Sequence, residues 1–460
     1  MAIWGGPTCT LNGMRASSPL IAAATLARYL RRWLELVHRD HDCLPPGFGL
    51  PRRQRRHLWQ GQGAARCEGE FVMPEKTTVL YASVGADLIH FDLDVEAAAL
   101  TRRATVSMPA NVQYVWPHAS RQFLYVASSD SASGMGQPGT NHHVSAFRID
   151  PSSGALSPHG APILLPYRPI HMATDIPSAH VLVAFNNPPD LRVYRINEDA
   201  TLGVEVSQPA RSDIGIFPHQ VLAMPDNRHI ILVTRGHDAA GGKPEEPGAL
   251  KVFRNDNGVL CDEVSIAPNG GYGFGPRHLD FHPSKPWIYV SLERQNAVEM
   301  FTHDSGKLAA TAAFRENTLL EPDNIRGHQL VGTVHVHPNG RFVYVANRAS
   351  SAVDKDGKKV FAGGENSIAV FAIDESSGKP SPIQHVDTRG IHCRTFHIDP
   401  TGQLMVCAHI MGLPLADGTE IPTRLSLFRI GGDGKLTFAR HYDIETGGRS
   451  MWWMGMVTLP

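Results

Sequence analysis

One unit of sequence recurs along this chain: a short apolar strand, a turn built around proline, and a second apolar strand. Its clearest copy lies within Gly275–Phe301, where RHLDF and WIYVSL flank a turn at Pro283 and AVEMF follows as a third strand. Polar and apolar residues alternate in the first of these segments, which predicts an antiparallel strand packed on one face. The other copies have their turns at Ala119, Pro177, Pro225, Pro338 and Pro400. A chain of this kind is constrained to build the same small sheet again and again.

The spacing of the turns predicts how these sheets are arranged. Successive turns lie about 50 to 60 residues apart, and a period of that size with four short strands per unit is typical of a β-propeller. A seventh unit can be assembled from the two chain ends, with Ser450–Val457 innermost and the segments VLYAS, LIHFDLD and a strand near Thr105 outside it. Such a closure removes a free sheet edge. We therefore predict an all-β, seven-bladed β-propeller over residues 73–460, and we number the closing blade as blade one.

Composition and charge narrow the possible partners. The 460 residues hold 43 Lys plus Arg against 44 Asp plus Glu, so no basic surplus points to nucleic acid or to a membrane surface. No apolar run reaches about 18 residues, and no membrane-spanning helix is predicted. The six cysteines form no CxxC pair and no zinc-like spacing, so we expect reduced thiols in a cytoplasmic protein. We expect a monomer or a weak homo-oligomer.

The first 72 residues do not share the repeat. They hold ten Arg, no Lys and five acidic residues. The apolar stretch Leu20–Leu30 is followed closely by arginines and by no small-residue cleavage site, which makes it a poor secretory signal. We interpret residues 1–72 as a non-propeller extension, either disordered or the product of a start site placed upstream of Met73.

Three predicted blades carry insertions, each between the second and third strands of its unit. They are His237–Gly248 in blade four, Ala349–Gly364 in blade six and Met411–Pro422 in blade seven. Insertions at one position of a repeat emerge on one face of the disc, and that face is often the binding face.

Alignment of the copies on the turn residue brings two sets of side chains to this same face. Six residues before the turn, where the innermost strands begin, lie Gln113, His171, His219, Arg277, Gly332 and Arg394. Ten residues after it lie Ser129, Asn187, Arg235, Glu293, Arg348 and Ile410. Both positions are at the end of the antiparallel pair away from the turn. We therefore predict that these side chains converge on the mouth of the central channel.

The polar members of these sets are suited to an anionic ligand. Arginine donates paired hydrogen bonds to carboxylate or phosphate, and histidine exchanges protons near neutral pH. A glutamate beside a histidine and several arginines predicts acid–base chemistry on an anionic substrate. Two other interpretations stay open at this point: polar side chains solvated around channel water, and a structural ion pair between Glu293 and Arg348.

The 24 histidines raise the question of a metal site. His335 and His337 lie on one face of a predicted strand, and His142, His143 and His392 add further nitrogen donors. No third ligand stands at a convincing spacing. The chain also lacks a Gly-rich phosphate loop that opens a helix and a G-x-S-x-G elbow. We predict no metal and no organic cofactor.

The segments GPRHLDFHP, followed by YVSLE, and VHVHPNGRFVYVANR resemble the seven-bladed propeller lactonase family. That family includes propeller-type 6-phosphogluconolactonases and carboxy-cis,cis-muconate cyclase, and the resemblance covers Thr77 to Val457. It implies a site without metal or cofactor whose catalytic residues are His219, Arg277, Glu293 and Arg348. We add as expected substrate-binding residues His171, Arg235, Arg394, His278 and His335. The long insertions of blades four, six and seven depart from the short 6-phosphogluconolactonases.

Three functions are considered. The first is hydrolysis of an anionic lactone, in which Arg277 and Arg348 hold the anion and polarise the carbonyl while Glu293 or His219 activates water. The second is the cyclising direction, in which the same groups convert an unsaturated acid to its lactone. The third is a non-catalytic propeller whose insertion-bearing face binds a protein or a sugar. In the first two the partner is a small anionic lactone or an unsaturated acid.

Overall fold

The computed structural model describes residues 77–131, 138–209 and 213–460. The predicted extension over residues 1–72 therefore lies outside the described residues. The described chain consists of strands, their connections and one short 3-10 helix at Pro268–Gly271. In chain order the strands are β1 Thr78–Val84, β2 Asp87–Asp94, β3 Ala99–Ser107, β4 Asn111–Pro117, β5 Phe123–Ser129, β6 His142–Ile149, β7 Leu156–Pro158, β8 Ile163–Leu164, β9 Pro169–Thr174, β10 His180–Asn186, β11 Pro189–Ile196, β12 Leu202–Glu205, β13 Pro218–Ala223, β14 His229–Thr234, β15 Ala249–Asp256, β16 Val259–Ile266, β17 Pro276–Phe281, β18 Trp287–Leu292, β19 Ala297–Asp304, β20 Lys307–Leu308, β21 Phe314–Asn317, β22 Gln329–Val336, β23 Phe342–Ala349, β24 Ala352–Lys355, β25 Lys358–Phe361, β26 Ser367–Ile373, β27 Pro380–Asp387, β28 Ile391–Ile398, β29 Leu404–Met411, β30 Leu413–Pro414, β31 Glu420–Ile421, β32 Arg424–Ile430, β33 Leu436–Asp443 and β34 Met454–Thr458.

Apart from two separate hairpins, these strands form seven antiparallel sheets, and the predicted seven-bladed β-propeller is confirmed. From the innermost strand outwards the blades are β34-β1-β2-β3, β4-β5-β6-β7, β9-β10-β11-β12, β13-β14-β15-β16, β17-β18-β19-β20, β22-β23-β26-β27 and β28-β29-β32-β33. The short strands β8 and β21 add to the edges of blades two and five. The innermost strands contact one another in sequence from β4 through β34, and they therefore line the central channel.

Blade one draws its strands from both ends of the described chain. β34 pairs antiparallel with β1, so that Val457 lies opposite Val79 and Gly455 opposite Tyr81. The innermost strand is shorter than the predicted Ser450–Val457, because Trp453 leaves the ladder. The Trp453 N–H donates to the Ser83 hydroxyl at 2.9 Å, and its carbonyl accepts from the Ser83 N–H at 2.8 Å.

The hydrophobic core lies between neighbouring blades. The packing of β14 explains why polar and apolar residues hardly alternate in its sequence, HIILVT. Ile231 and Val233 pack in a cluster with blade five, whereas Ile230 and Leu232 pack in another with blade three. A strand buried on both faces has no polar side to present, so its apolar run is continuous. Seven such clusters, one at each junction between blades, join the disc.

Tyrosine hydroxyls add directional bonds at four of these junctions. Each belongs to the second strand of one blade and donates to a carbonyl in the outer turn of the next. The pairs are Tyr81 with Gly154, Tyr125 with Ala200, Tyr289 with Gly378 and Tyr344 with Gly434, at 2.5 to 3.0 Å. Burial raises the pKa of these phenols, which keeps them protonated as donors.

The insertions of blades four, six and seven interrupt the step from the second to the third strand, as predicted. Those of blades six and seven form the hairpins β24–β25 and β30–β31. The two hairpins contact each other, and Lys355 Nζ donates to the Ala416 carbonyl at 2.8 Å. The blade-four insertion folds on itself through an isolated bridge between His237 and Glu246.

Candidate active site

A β-bulge marks the start of most innermost strands, at or next to the position that the alignment selected. In blade five, Pro276 pairs with Leu292 and His278 with Ser291, so Arg277 is the extra residue. The same shift occurs at Gln113, His219 and Arg394. A bulge re-aims the extra side chain and increases the local twist. Large polar side chains are thereby directed into the channel from strands that are otherwise packed.

Glu293 is the acidic centre of the site. It follows β18 directly, and its backbone is held between blades by its N–H to the Gly275 carbonyl and by the Val331 N–H to its own carbonyl. Its side chain is only 2% exposed. The carboxylate forms ion pairs with Arg277, whose Nε lies 3.1 Å away, and with Arg235 and Arg348, both of which also donate hydrogen bonds to it.

These arginines determine the charge state of Glu293. Burial alone would raise the pKa of the carboxyl group, but the charges of Arg348, Arg235 and Arg277 outweigh it and lower that pKa to about 2. Glu293 is therefore ionised at neutral pH and fully engaged as an acceptor. A carboxylate with so low a pKa is a weak general base.

Arg348 extends this cluster to a histidine that the sequence interpretation had considered only as a metal donor. Its Nη1 lies 2.6 Å from Nε2 of His392, whose Nδ1 is 3.0 Å from the Ser350 hydroxyl. Burial, followed by the charge of Arg348, holds the pKa of His392 well below its usual range, so the ring is neutral and Nε2 accepts. His392 has φ +57°, a left-handed conformation rare for a residue other than glycine. The only sequence signal was its place two residues before Arg394.

A second group of cations, Arg394 of blade seven and Arg168 just before the first strand of blade three, lies around Trp452. The Arg394 guanidinium stacks on Trp452 at 3.7 Å, and Arg168 lies 5.5 Å from the same ring. Arg168 Nε also donates to the Gln113 side chain at 2.8 Å. Burial first, and then the charge of Arg277, lowers the pKa of Arg394 well below its usual value. Arg168 and Trp452 lie outside the aligned positions, so the sequence alignment missed them both.

Three buried histidines lie beside Arg277. The ring of His278 is 5.2 Å from His219 and 6.0 Å from His171, centroid to centroid. Burial, followed by the charge of Arg277, holds the pKa of all three well below the usual range, so they are neutral. Nδ1 of His219 is buried and has no hydrogen-bond partner among the described residues.

His335 lies elsewhere in the channel. It is three residues beyond Gly332, which places it roughly 10 Å further along the innermost strand. There its Nδ1 is 3.3 Å from Asp280, and its ring lies 5.2 Å from His397. The structure therefore does not bring His335 together with Glu293 and its arginines.

Two of the three other histidines considered as metal donors have structural partners, whereas Nδ1 of His143 is buried with no hydrogen-bond partner among the described residues. His337 Nε2 is bonded to the Gly402 carbonyl of the next blade at 2.8 Å, and His142 Nδ1 to the Ser129 hydroxyl at 2.8 Å. Within residues 77–131, 138–209 and 213–460, no group of three His, Cys, Asp or Glu is placed to hold a metal ion. The described cysteines are free thiols. None of the described helices is long and apolar enough to cross a membrane.

Taken together, the channel mouth carries a buried excess of positive charge. Arg235, Arg277, Arg348 and Arg394 face one carboxylate, that of Glu293. Arg277 is 1% exposed and its Nη1 has no hydrogen-bond partner among the described residues. Burial and the charge of Arg348 lower its pKa to about 9, which leaves it a cation at pH 7. Buried cations of this kind are stabilised by an anion that enters the site.

The fold and this site define a β-propeller whose channel mouth holds several buried arginines around a single carboxylate. The family model described as "Lactonase, 7-bladed beta-propeller" matches residues 78–411, and the chain belongs to that family. The 6-phosphogluconolactonase of Bacillus subtilis is 29% identical over 341 residues, which is 72% of this chain and 86% of that protein. The 6-phosphogluconolactonase of Serratia proteamaculans is 25% identical over 339 residues, 66% of this chain and 93% of that protein.

Solved structures agree with the fold. The periplasmic gluconolactonase of Pseudomonas aeruginosa superposes with a TM-score of 0.62 at 20% identity, covering 84% of this chain and all of that one. A protein from Lactobacillus plantarum gives the same TM-score, 0.62, at 20% identity and covers 83% of this chain. Both likenesses concern the propeller.

Proposed function

We propose that this protein is a metal-independent lactonase that hydrolyses a small anionic lactone at the channel mouth. Its family and the name 6-phosphogluconolactonase carried by two relatives support a lactonase. The anionic substrate is supported by one observation above all, the buried arginines that outnumber their single carboxylate partner.

In this proposal the arginines bind the substrate and stabilise the developing charge. Arg394, stacked on Trp452, and Arg348 receive the carboxylate or phosphate of the lactone. Arg277, whose Nη1 has no hydrogen-bond partner in the described part of the chain, donates to the carbonyl oxygen as it becomes an oxyanion. Guanidinium groups thereby supply the positive charge that the tetrahedral intermediate requires, and Glu293 fixes their positions.

His219 is the proposed general base. Glu293 is held ionised by three arginines, whereas His219 is neutral and its Nδ1 has no hydrogen-bond partner within residues 77–131, 138–209 and 213–460. Water attacks the lactone carbonyl carbon as His219 takes its proton, and the carbon–oxygen bond of the ring then breaks. The leaving ring oxygen accepts that proton and the hydroxy acid forms. An anionic substrate offsets the charge of Arg277 and so raises the basicity of His219 when it binds.

The test is proton release by the full-length protein with 6-phosphogluconolactone and a panel of carboxylated and neutral lactones, with a chelator present. We expect anionic lactones to be hydrolysed and neutral ones to react far more slowly. His219→Gln should lower kcat by about 100-fold or more while product binding, measured by calorimetry, persists. His303→Gln is the control, because His303 lies near Phe281 on the third strand of blade five and outside the site.

The pH profile tests the depressed pKa of His219. Since the pKa of His219 is depressed, its neutral form persists below pH 6.5, and kcat/KM should stay level as the pH falls through 6.5. Hydrolysis that survives in His219→Gln would overturn the role of His219. Conversion of an unsaturated acid to a lactone without any hydrolysis would favour the cycloisomerase, and binding without either reaction would favour the non-catalytic propeller.

A further inference from the structure

A cleft opens between blades six and seven on the insertion-bearing face. Its volume is about 420 Å³, within the range of small-molecule sites. Ile391, which begins the innermost strand of blade seven, lies at one end, and Phe438 and His441 on the outermost strand lie at the other. The cleft therefore runs radially, from the channel mouth towards the rim of the disc.

The insertions of blades six and seven supply its outer wall. Phe361 ends the hairpin β24–β25, while Leu415 and Ile421 belong to the insertion that contains β30–β31. The contact between Lys355 and Ala416 holds the two hairpins together above the cleft. Without these insertions the cleft would have no wall on that side.

Each arginine of the cleft has a carboxylate partner. Arg424 Nε lies 2.9 Å from the carboxylate of Asp443, and Arg389 Nε lies 3.9 Å from that of Asp387. The Arg389 guanidinium stands 5.3 Å over Phe438. The surface left for a ligand is aromatic and aliphatic, and is provided by Phe361, Ile391, Leu415, Ile421 and Phe438. Such a lining favours an uncharged apolar group.

The inner end of the cleft is hydrogen-bonded to the strands that carry the arginine cluster. Asn366 lines the cleft, and its Oδ1 accepts the N–H of Ala349 at 3.0 Å and that of His392 at 2.8 Å. Ala349 follows Arg348 in the chain, and the His392 ring contacts the Arg348 guanidinium. A ligand in the cleft would lie next to the groups that hold the anionic end of the substrate.

We infer that this cleft binds the non-reacting part of the substrate, an aromatic or branched aliphatic substituent on the anionic lactone. The inference rests on the proposed function, and it narrows the substrate class. The lactone carries its negative charge towards Arg348 and Arg394 and its apolar substituent outwards, beneath the two hairpins. Phe361 and Leu415 are then specificity-determining residues for the reaction.

The test compares two carboxylated lactones that share one ring, one of them bearing a phenyl substituent, with full-length wild type, Phe361→Ala, Leu415→Asp and Val353→Ala. Val353 is the matched control, because it lies on the same hairpin, is 52% exposed and does not line the cleft. In Phe361→Ala and Leu415→Asp we expect the preference for the phenyl lactone, as a ratio of kcat/KM values, to fall by about tenfold, mainly through KM. Val353→Ala should keep the wild-type ratio.

Calorimetry with the two product hydroxy acids separates this inference from the proposed function. If no lactone is turned over but the binding preference for the phenyl acid still falls in Phe361→Ala and Leu415→Asp, the cleft site stands and the hydrolase proposal fails. If both variants keep the wild-type preference in kinetics and in binding, the inference is overturned whether or not the protein is a lactonase.

Discussion

The carboxylate of Glu293 lies among three guanidinium groups, and it both compensates their charge and orients them. Removing it would leave Arg235, Arg277 and Arg348 buried in a cavity of like charge. With the carboxylate present, the three guanidinium groups are held in fixed orientations without the help of water, as a preorganised anion site requires. The ion-pair interpretation and the functional interpretation of these residues are therefore compatible, because the structural carboxylate is what positions the arginines.

The first prediction concerns the stability that Glu293 provides. Its pKa falls from an ordinary 4.5 to about 2 on folding, so it stabilises the native state above pH 4.5. At pH 7, Glu293→Gln should lower the free energy of unfolding by on the order of 3 kcal/mol, measured by urea denaturation. The difference from wild type should shrink as pH falls from 4.5 towards 2, since protonation then removes the same charge in both proteins.

A surface ion pair offers the control for that prediction. Glu205 pairs with Arg192 at 3.1 Å, and both side chains are partly exposed. Glu205→Gln should cost less than about 1 kcal/mol, with little dependence on pH in the same interval. Equal losses in the two variants, or a loss in Glu293→Gln that does not change below pH 4.5, would contradict the role assigned to Glu293.

At the scale of elements, each blade is joined to the next by apolar packing, and four of the seven junctions add a tyrosine that donates to an outer turn. The turn that receives Tyr344 contains Gly434, at φ +79°, and a Cβ there would lie 2.3 Å from the Phe342 ring. Glycine is required at this turn for two reasons, the left-handed backbone and the close approach of the neighbouring blade.

The second prediction is that Gly434→Ala is more harmful than Tyr344→Phe. Loss of the hydroxyl removes one buried hydrogen bond and should cost about 1 kcal/mol, whereas the added methyl group combines strain with a clash and should cost about 2 to 4 kcal/mol. The midpoints of thermal unfolding of the two variants show which of them loses more stability. Gly432→Ala is the control, because nothing lies within 4 Å of a Cβ at Gly432. A wild-type unfolding midpoint in Gly434→Ala would contradict this prediction, because it would show that the junction between blades six and seven accommodates the methyl group without loss of stability.

The repeat also explains which parts of the structure could be predicted from the sequence. Strand positions followed from apolar runs and turns, and the blade order followed from their period. Alignment on the turn placed Arg277, Glu293 and Arg348 on one face because the period carries equivalent residues to equivalent places. The bulge at Arg277 could not be predicted, since a register shift depends on backbone pairing and leaves no residue signature.

The starts of the innermost strands and the segments just before them were the least predictable, and they hold the residues that were missed. His392 and Arg168 precede the aligned positions, and Trp452 leaves the closing strand to stack on Arg394. Each depends on a partner from another blade, a contact that no local pattern encodes. The same holds for the cleft, because its walls are two insertions whose sequences have no common period.

At the scale of the molecule, the disc depends on the pairing of its two ends. β34 is the innermost strand of blade one, and Met451 and Met454 pack with Leu404 and Leu425 of blade seven. The same short segment carries Trp452 into the cation group of the site. The segment that closes the ring of blades therefore also completes the group of side chains around Arg394.

The last prediction tests that dependence by removing residues 448–460. The truncated protein loses β34, exposes the inner edge of β1 and leaves Arg394 without its stacking partner. We expect a broad unfolding transition of lower midpoint and loss of lactonase activity, whereas removal of Pro460 alone should change neither. A synthetic peptide of residues 448–460 should restore both by adding the missing strand, since an exposed edge accepts an extended peptide. If the truncated protein unfolds with the wild-type midpoint, blade one is complete without its C-terminal strand, and the pocket does not depend on closure.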